Sequence, residues 1–143
     1  MSPNFTIPQM HVYLQEVFPQ QFPASGGSMA VTALGHGTAR LRMAAGEAAL
    51  RPGGTVSGPA LFTLADCAFY VAVLGALGRA ALAVTTNVSL DFMRKAGPGA
   101  LEAEARILKL GRVLVVGDVL ITAEGVAGPV ARASLTYSIP PVR

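Results

Sequence analysis

Arg51-Pro52-Gly53-Gly54-Thr55-Val56-Ser57-Gly58-Pro59 runs directly into a long apolar stretch, Ala60 to Gly78, and this junction decides the fold. Proline has no backbone N–H and a fixed φ, so Pro59 is comfortable only in a helix's first turn. That puts the helix start at Ser57 or Gly58. Two alternating segments precede the helix and four follow it, so the rest of the chain reads as strand. One long helix in an otherwise β protein must be wrapped by the sheet.

Upstream, Ser28 to Leu34 and Thr38 to Met43 alternate, with Met29, Val31 and Ala33, then Ala39, Leu41 and Met43, on the buried face and a Gly35-His36-Gly37 turn between. Before them, Met10, Tyr13, Leu14 and Val17 fall at helical spacing, which predicts a short amphipathic helix over Pro8 to Phe18. Such a helix covers an edge of the sheet or flanks a cleft. Downstream, Leu82, Val84, Val88, Leu90 and Phe92 are expected on one face, opposite Thr85, Asn87, Ser89 and Asp91. Gly97-Pro98-Gly99 then reads as a turn into Leu101, Ala103, Ala105 and Ile107, and Gly111-Arg112 as the next. With Val113 to Glu124 and Pro129 to Ser138, four consecutive strands are expected to form an antiparallel meander. The prediction is one α+β domain over residues 1–143, a curved antiparallel sheet of about six strands around one central helix.

Composition narrows the function. With 52% hydrophobic and 13% charged residues, the chain carries more apolar side chain than a monomer of its size buries, and a partner subunit is the simplest outlet. The net charge of +3 comes from eleven basic residues spread along the chain, with no run longer than Arg94-Lys95 and no interleaved aromatic residues, which argues against nucleic acid. Asp66 and Arg79 bracket only a dozen uncharged residues. That is short of the roughly 18 a membrane span needs, so a buried core helix is expected. The start Met1-Ser2-Pro3-Asn4 has neither the basic residues nor the apolar run of a signal peptide, and the expected compartment is the cytoplasm. Cys67, alone of its kind, reads as an inert buried thiol. Neither His11 nor His36 has a second ligand at metal spacing, so no metal site is expected.

The chemistry concentrates at the junction and in the helix. Backbone N–H groups at a helix start carry the positive end of the dipole and bind phosphate, carboxylate or the oxygen of a carbonyl under attack. Gly53, Gly54 and Gly58 let a ligand approach the backbone, or they simply make a tight turn. Asp66 lies in mid-helix among apolar residues. A buried carboxylate costs several kcal/mol unless it is paired or faces a cavity, so Asp66 is either a site or a structural group satisfied by backbone or partner. Thr63 and Tyr70, three and four residues away, are expected on its side of the helix. A nucleophile elbow at Ser57 is excluded because Thr55 and Pro59 stand where glycines are needed. Phosphate-loop and dinucleotide motifs do not occur.

The pattern Gly54-x-x-Ser57-Gly58-x-x-x-x-x-Leu64-x-Asp66, followed by an alanine-rich helix and four strands, resembles the phenylacetic-acid-degradation (PaaI-like) type of acyl-CoA thioesterases, which have the hotdog fold. The likeness in element order covers nearly the whole chain. Family members usually read Asn-x-x-Gly-x-x-His-Gly-Gly before the helix and Asp or Glu within it. Gly54, Gly58 and Asp66 match, whereas Arg51 replaces the Asn, Ser57 the His and Pro59 the last Gly.

The resemblance implies a homodimer whose sheets join edge to edge, with two active sites at the subunit interface; a homotetramer of paired dimers is expected, with the dimer alone as the alternative. It implies that the Gly58 N–H polarises the thioester carbonyl, that Asp66 of the other subunit is general base or nucleophile, and that Ser57 orients the loop or caps the helix. Tyr70 falls where the family often carries a Thr or Ser beside the base. Thr85, Thr86 and Asn87 are expected to line substrate, with Arg51 and Gly54 in the loop before the helix. Arg94, Lys95, Lys109 and Arg112 are candidates for the phosphates of coenzyme A, which enters as part of the substrate; no separate cofactor is implied. A non-catalytic acyl-CoA binder, a hotdog hydratase or dehydratase, and a purely structural dimer remain as alternatives.

Overall fold

Thr6 opens the first helix with a capping box. Its hydroxyl accepts from the Gln9 N–H at 3.3 Å, and the Gln9 side chain accepts from the Thr6 N–H at 2.9 Å. The helix, α1 (Ile7–Val17), therefore begins one residue before Pro8, and it buries Met10, Tyr13 and Leu14. The structure, a computed structural model, describes residues 1–141. After α1 come β1 (Met29–Gly35), β2 (Thr38–Ala45), a single 3-10 turn (Glu47–Ala49), β3 (Leu50–Arg51), β4 (Thr55–Val56) and α2 (Gly58–Leu77). Four strands complete the chain: β5 (Val84–Phe92), β6 (Gly99–Leu110), β7 (Leu114–Ala123) and β8 (Ala131–Ser138).

The main sheet has six antiparallel strands in the order β1-β2-β6-β7-β8-β5, and β3 and β4 form a separate ribbon before α2. The four-strand meander is corrected here: β6, β7 and β8 are consecutive neighbours, but β5 pairs with β8 at the far edge and β2 takes the place beside β6. Gly97-Pro98-Gly99 is thus not a hairpin turn. Met93 and Arg94 donate to the Val130 carbonyl, and Ala96 accepts from Val56, so this link crosses the end of the sheet beneath the start of α2.

Inward positions follow the expected alternation in β2 (Ala39, Leu41, Met43), β6 (Leu101, Ala103, Ala105) and β8 (Ala131, Ala133, Leu135, Tyr137). Three bulges break it elsewhere, one of them between Ile107 and Lys109 of β6. Between Val31 and Ala33 the register with β2 shifts, so Leu34 rather than Ala33 faces the core, where it packs beside Gly75. Between Thr85 and Asn87 the register with β8 shifts likewise. Thr85 joins Val88 and Leu90 on the inner face, while Val84, expected inside, is 58% exposed.

α2 touches all six strands of the sheet and carries twelve buried residues, among them Leu61, Leu64, Phe69, Val71, Val73 and Leu74. Each large side chain so buried contributes about 1.5–3 kcal/mol, which is what holds the helix in place. By length and composition α2 is apolar enough to cross a membrane, since its 20 residues carry one charge; the shortness argued from Asp66 and Arg79 does not hold. It is a buried core helix because the sheet covers it. Phe69 lies over Gly117 of β7, where a Cβ would collide with its ring and with the Arg106 carbonyl.

The N-terminal segment covers the far end of α2. Asn4 donates to the Gly75 carbonyl from its backbone (2.8 Å) and side chain (2.9 Å), and Arg79 sits 4.5 Å over the Tyr13 ring. On α1, His11 accepts the Val31 N–H at 3.0 Å, so this helix caps the β1 edge. Beyond Asp66 the helix is enclosed as far as Gly75. Its first half keeps an open face of Pro59, Phe62, Thr63 and Asp66.

Candidate active site

Asp66 is the one carboxylate on α2, and the fold brings two hydroxyls to it. Thr85 donates from Oγ1 to Asp66 Oδ1 at 2.7 Å, and Tyr137 donates its phenol to the same oxygen at 2.8 Å. The phenol also lies 3.1 Å from the Asp66 backbone carbonyl. Thr85 and Tyr137 are register partners across β5 and β8, so one facing pair delivers both donors. The bulge after Thr85 makes this possible, because it turns the hydroxyl inward. Oδ2 accepts no hydrogen bond among the described residues and is open to solvent.

The groups around the carboxylate are held neutral. Burial pushes the Tyr137 phenol well above its usual range, and the charge of Asp66 adds to the effect, so Tyr137 stays a donor. Burial, then Asp66, pushes the Cys67 thiol up to about 12, consistent with an inert cysteine. Tyr70 is likewise pushed up to about 12 by burial first. Its hydroxyl donates to the Ala81 carbonyl at 2.9 Å and its ring stands edge-on to Phe18. The expectation that Tyr70 lines the space at Asp66 is corrected accordingly. The i+4 position is on the right side, but the long side chain is drawn into the aromatic cluster under α1.

A second constellation surrounds the helix start. Ser57 is the N-cap, accepting the Ala60 N–H on Oγ at 3.2 Å, and α2 proper begins at Gly58. Beside it an open groove of about 360 Å³ is lined by Arg51, Thr55, Val56, Gly58, Leu61, Phe92, Met93, Arg94 and Lys95. The Phe92 ring lies 3.5 Å from where a Gly58 Cβ would sit. Three cations therefore face a helix N-terminus, an arrangement suited to an anion. Arg94 also donates to the Pro129 carbonyl at 2.8 Å.

The sequence model of the Thioesterase superfamily matches residues 53–129, more than half of the chain. The chain belongs to the thioesterase superfamily. Among solved structures, a candidate thioesterase from Silicibacter sp. TM1040 is similar at 53% identity and a TM-score of 0.87, over 99% of this chain and 96% of that one. The phenylacetic acid degradation protein PaaI from Thermus thermophilus, in a mutant form, matches at 29% identity and a TM-score of 0.71, over 79% of this chain and 94% of that one. A phenylacetic acid degradation-related protein from Ralstonia eutropha JMP134, a candidate thioesterase, matches at 26% and 0.75, over 89% and 98%. No match was found among curated proteins. The fold is the hotdog fold, with one long central helix against a six-stranded antiparallel sheet.

In this thioesterase-superfamily chain the expected site residues divide. Arg51, Gly58, Arg94 and Lys95 come together at the groove, with Ser57 capping the helix, whereas Asp66 and Thr85 meet two helical turns away. Thr85 is a hydrogen-bond partner of the carboxylate. Thr86 sits in the bulge and donates to the Thr136 carbonyl at 3.2 Å; Asn87 faces Thr136 on the outer side of the sheet. Neither is brought to Asp66, because the bulge that turns Thr85 in turns Asn87 out. Gly54 is at the tip of the β3–β4 ribbon with φ +81°, and Arg112 is in the β6–β7 turn, both outside the groove. His11 is spent on Val31, and His36 lies in the β1–β2 turn, so the chain itself brings no histidine to Asp66.

Tyr137 is the residue that sequence reasoning missed. It shares the inward face of β8 with Ala131, Ala133 and Leu135, and a buried phenol needs a polar partner. That need, set against the lone carboxylate of the apolar helix, was the available signal. A larger groove of about 700 Å³ lies on the outer face of the sheet. Its arginines are already engaged, Arg40 with Glu102 and Glu104, Arg106 with Asp118 and Arg132 with Asp91.

Proposed function

We propose that this protein hydrolyses the thioester of a small aryl- or acyl-CoA, with Asp66 as general base or nucleophile and the Gly58 end of α2 polarising the carbonyl. The observation that carries this reading is the state of Asp66: one oxygen anchored by Thr85 and Tyr137, the other open, on the exposed half of an otherwise buried helix. As general base, Asp66 takes a proton from water while the water oxygen bonds to the carbonyl carbon. The C–S bond then breaks and the proton passes to the leaving thiolate. As nucleophile, Asp66 displaces the thiolate to form an anhydride, which water opens. In either route the oxyanion develops where helix N–H groups and their dipole favour negative charge.

Two subunits complete the site in this reading. β5 is an edge strand whose outer side has no partner among the described residues. Antiparallel pairing of two β5 strands about their middle brings the Thr85 end of one beside the Phe92 end of the other. Phe92 packs at Gly58, so Asp66 of one subunit meets the helix start of its neighbour. The open face with Phe62 gives that neighbour an apolar seat. Further pairing of dimers into tetramers is supported by Leu114, Val116 and Leu120, exposed on the outer face of a central strand that would otherwise meet water. Arg51, Arg94 and Lys95 bind the phosphates of coenzyme A.

A second reading, binding of acyl-CoA without turnover, draws on Ser57. Its hydroxyl is occupied as a helix cap where the family's motif has a histidine. Thiol release from a panel of aryl- and aliphatic-acyl-CoAs, with wild type and Asp66→Asn compared, decides between them. Turnover lost in the variant with binding retained supports the hydrolase; binding without thiol release by the wild type supports the binder.

A further inference from the structure

We infer that Tyr137 is a positioning residue for the reaction, fixing which oxygen of Asp66 meets the substrate. This rests on the thioesterase reading above. Three observations lead to it. Tyr137 arrives from the last strand, 71 residues along the chain from Asp66, yet reaches Oδ1 at 2.8 Å and the Asp66 carbonyl at 3.1 Å. A second donor, Thr85, occupies the same Oδ1 at 2.7 Å, so both hydroxyls converge on one oxygen and leave the other open. The phenol ring is 2% exposed and stands edge-on to Phe69 at 5.2 Å between centroids, so it cannot swing away.

A carboxylate on its short side chain rotates about χ2, and its two oxygens exchange unless something distinguishes them. Here Oδ1 holds two charge-assisted hydrogen bonds, each roughly twice as strong as a neutral pair. Oδ1 therefore stays against β5 and β8, and Oδ2 is presented to the open face of α2. Anchoring Oδ1 orients the reacting lone pair before substrate arrives, which is where a base or nucleophile gains most of its advantage. The phenol is well suited to this because burial keeps it protonated. The ionisable groups of the same chain beside Asp66, Cys67 on its own helix and Tyr137 from β8, both remain neutral.

Tyr137→Phe removes the hydroxyl and keeps the ring against Phe69. With an acyl-CoA that the wild type hydrolyses, kcat is expected to fall about ten- to a hundred-fold with KM nearly unchanged, as for the loss of one hydrogen bond to a charged group. Thr85→Val should add to the loss and Thr85→Ser should restore most of it, which separates positioning from folding; thermal melts of all variants check the fold. Wild-type turnover that disappears in Asp66→Asn but is unchanged in kcat in Tyr137→Phe overturns this inference and leaves the thioesterase standing. A wild type that releases no thiol overturns both.

Discussion

Gly58 and Asp66 lie on one helix, eight residues and so about 12 Å apart along its axis. No single carbonyl can touch the helix start and the carboxylate of the same chain, because a reacting atom must sit about 3 Å from each. In the proposed hydrolase the two would therefore come from different subunits. Complementation tests this directly. Gly58→Pro deletes the N–H while suiting a helix's first turn, and Asp66→Asn deletes the base. Each variant alone should be inactive. In a heterodimer of the two, one site inherits both defects and the other neither. Random mixing by co-expression should thus recover about a quarter of wild-type activity, half the dimers being mixed and each having one intact site. Activity that stays at background in the mixture would place both groups' work within one chain.

Three buried acids give the protein an alkaline limit. Cys67 is raised from 9.0 to about 12 and Tyr70 from 10.0 to about 12, both chiefly by burial, and Tyr137 is raised by burial and by Asp66. Between pH 9 and 12 the unfolded chain has released protons that the folded chain still holds. Stability therefore falls with rising pH across that window, having been fully present below it. Urea midpoints taken from neutral pH upward should stay level with respect to these groups to about pH 9 and then decline. In Cys67→Ala the decline should begin about one unit later, where tyrosines in the unfolded chain start to ionise. A midpoint that stays level through the window would mean that water reaches the thiol and the phenols.

The strand faces were legible because period-two alternation reports which side of a sheet a residue occupies. It does not report which strand lies alongside. Leu101 to Ile107 read equally well beside β5 or β2, and the sequence offers no local signal that β5 crosses to the edge next to β8. The bulges were hidden for a related reason: one extra residue at Thr86 reverses the phase, so Val84 turns out and Thr85 turns in. Asp66 was legible as a charge inside an apolar helix, a conflict between pattern and residue that commonly marks a site. Its partner was not, since Tyr137 meets it across 71 residues of chain. Tyr70 was misplaced because helical spacing fixes where a Cβ points but not where the ring and its hydroxyl find their packing.

The groove at the helix start makes a separable prediction about binding. Arg51 and Lys95 line it, both exposed, and neither is in an ion pair among the described residues. Arg94 is a poorer probe because it also holds the Pro129 carbonyl. Exposed charge pairs contribute up to about 1 kcal/mol, so Arg51→Gln and Lys95→Gln should each raise KM for an acyl-CoA by about two- to five-fold. Both side chains are assigned to the coenzyme A phosphates and not to the reacting carbonyl, so kcat should hold. The wild-type KM should climb with ionic strength, and the double variant should show a flatter dependence, since two of the charges being screened are gone. A thioester of the same acyl group on a phosphate-free thiol supplies the control. Its KM should be the same for wild type and variants, because it offers these cations no phosphate to hold. An equal rise for both substrates would instead mean that the two side chains shape the loop around Gly58, and the phosphates would then have to be bound elsewhere.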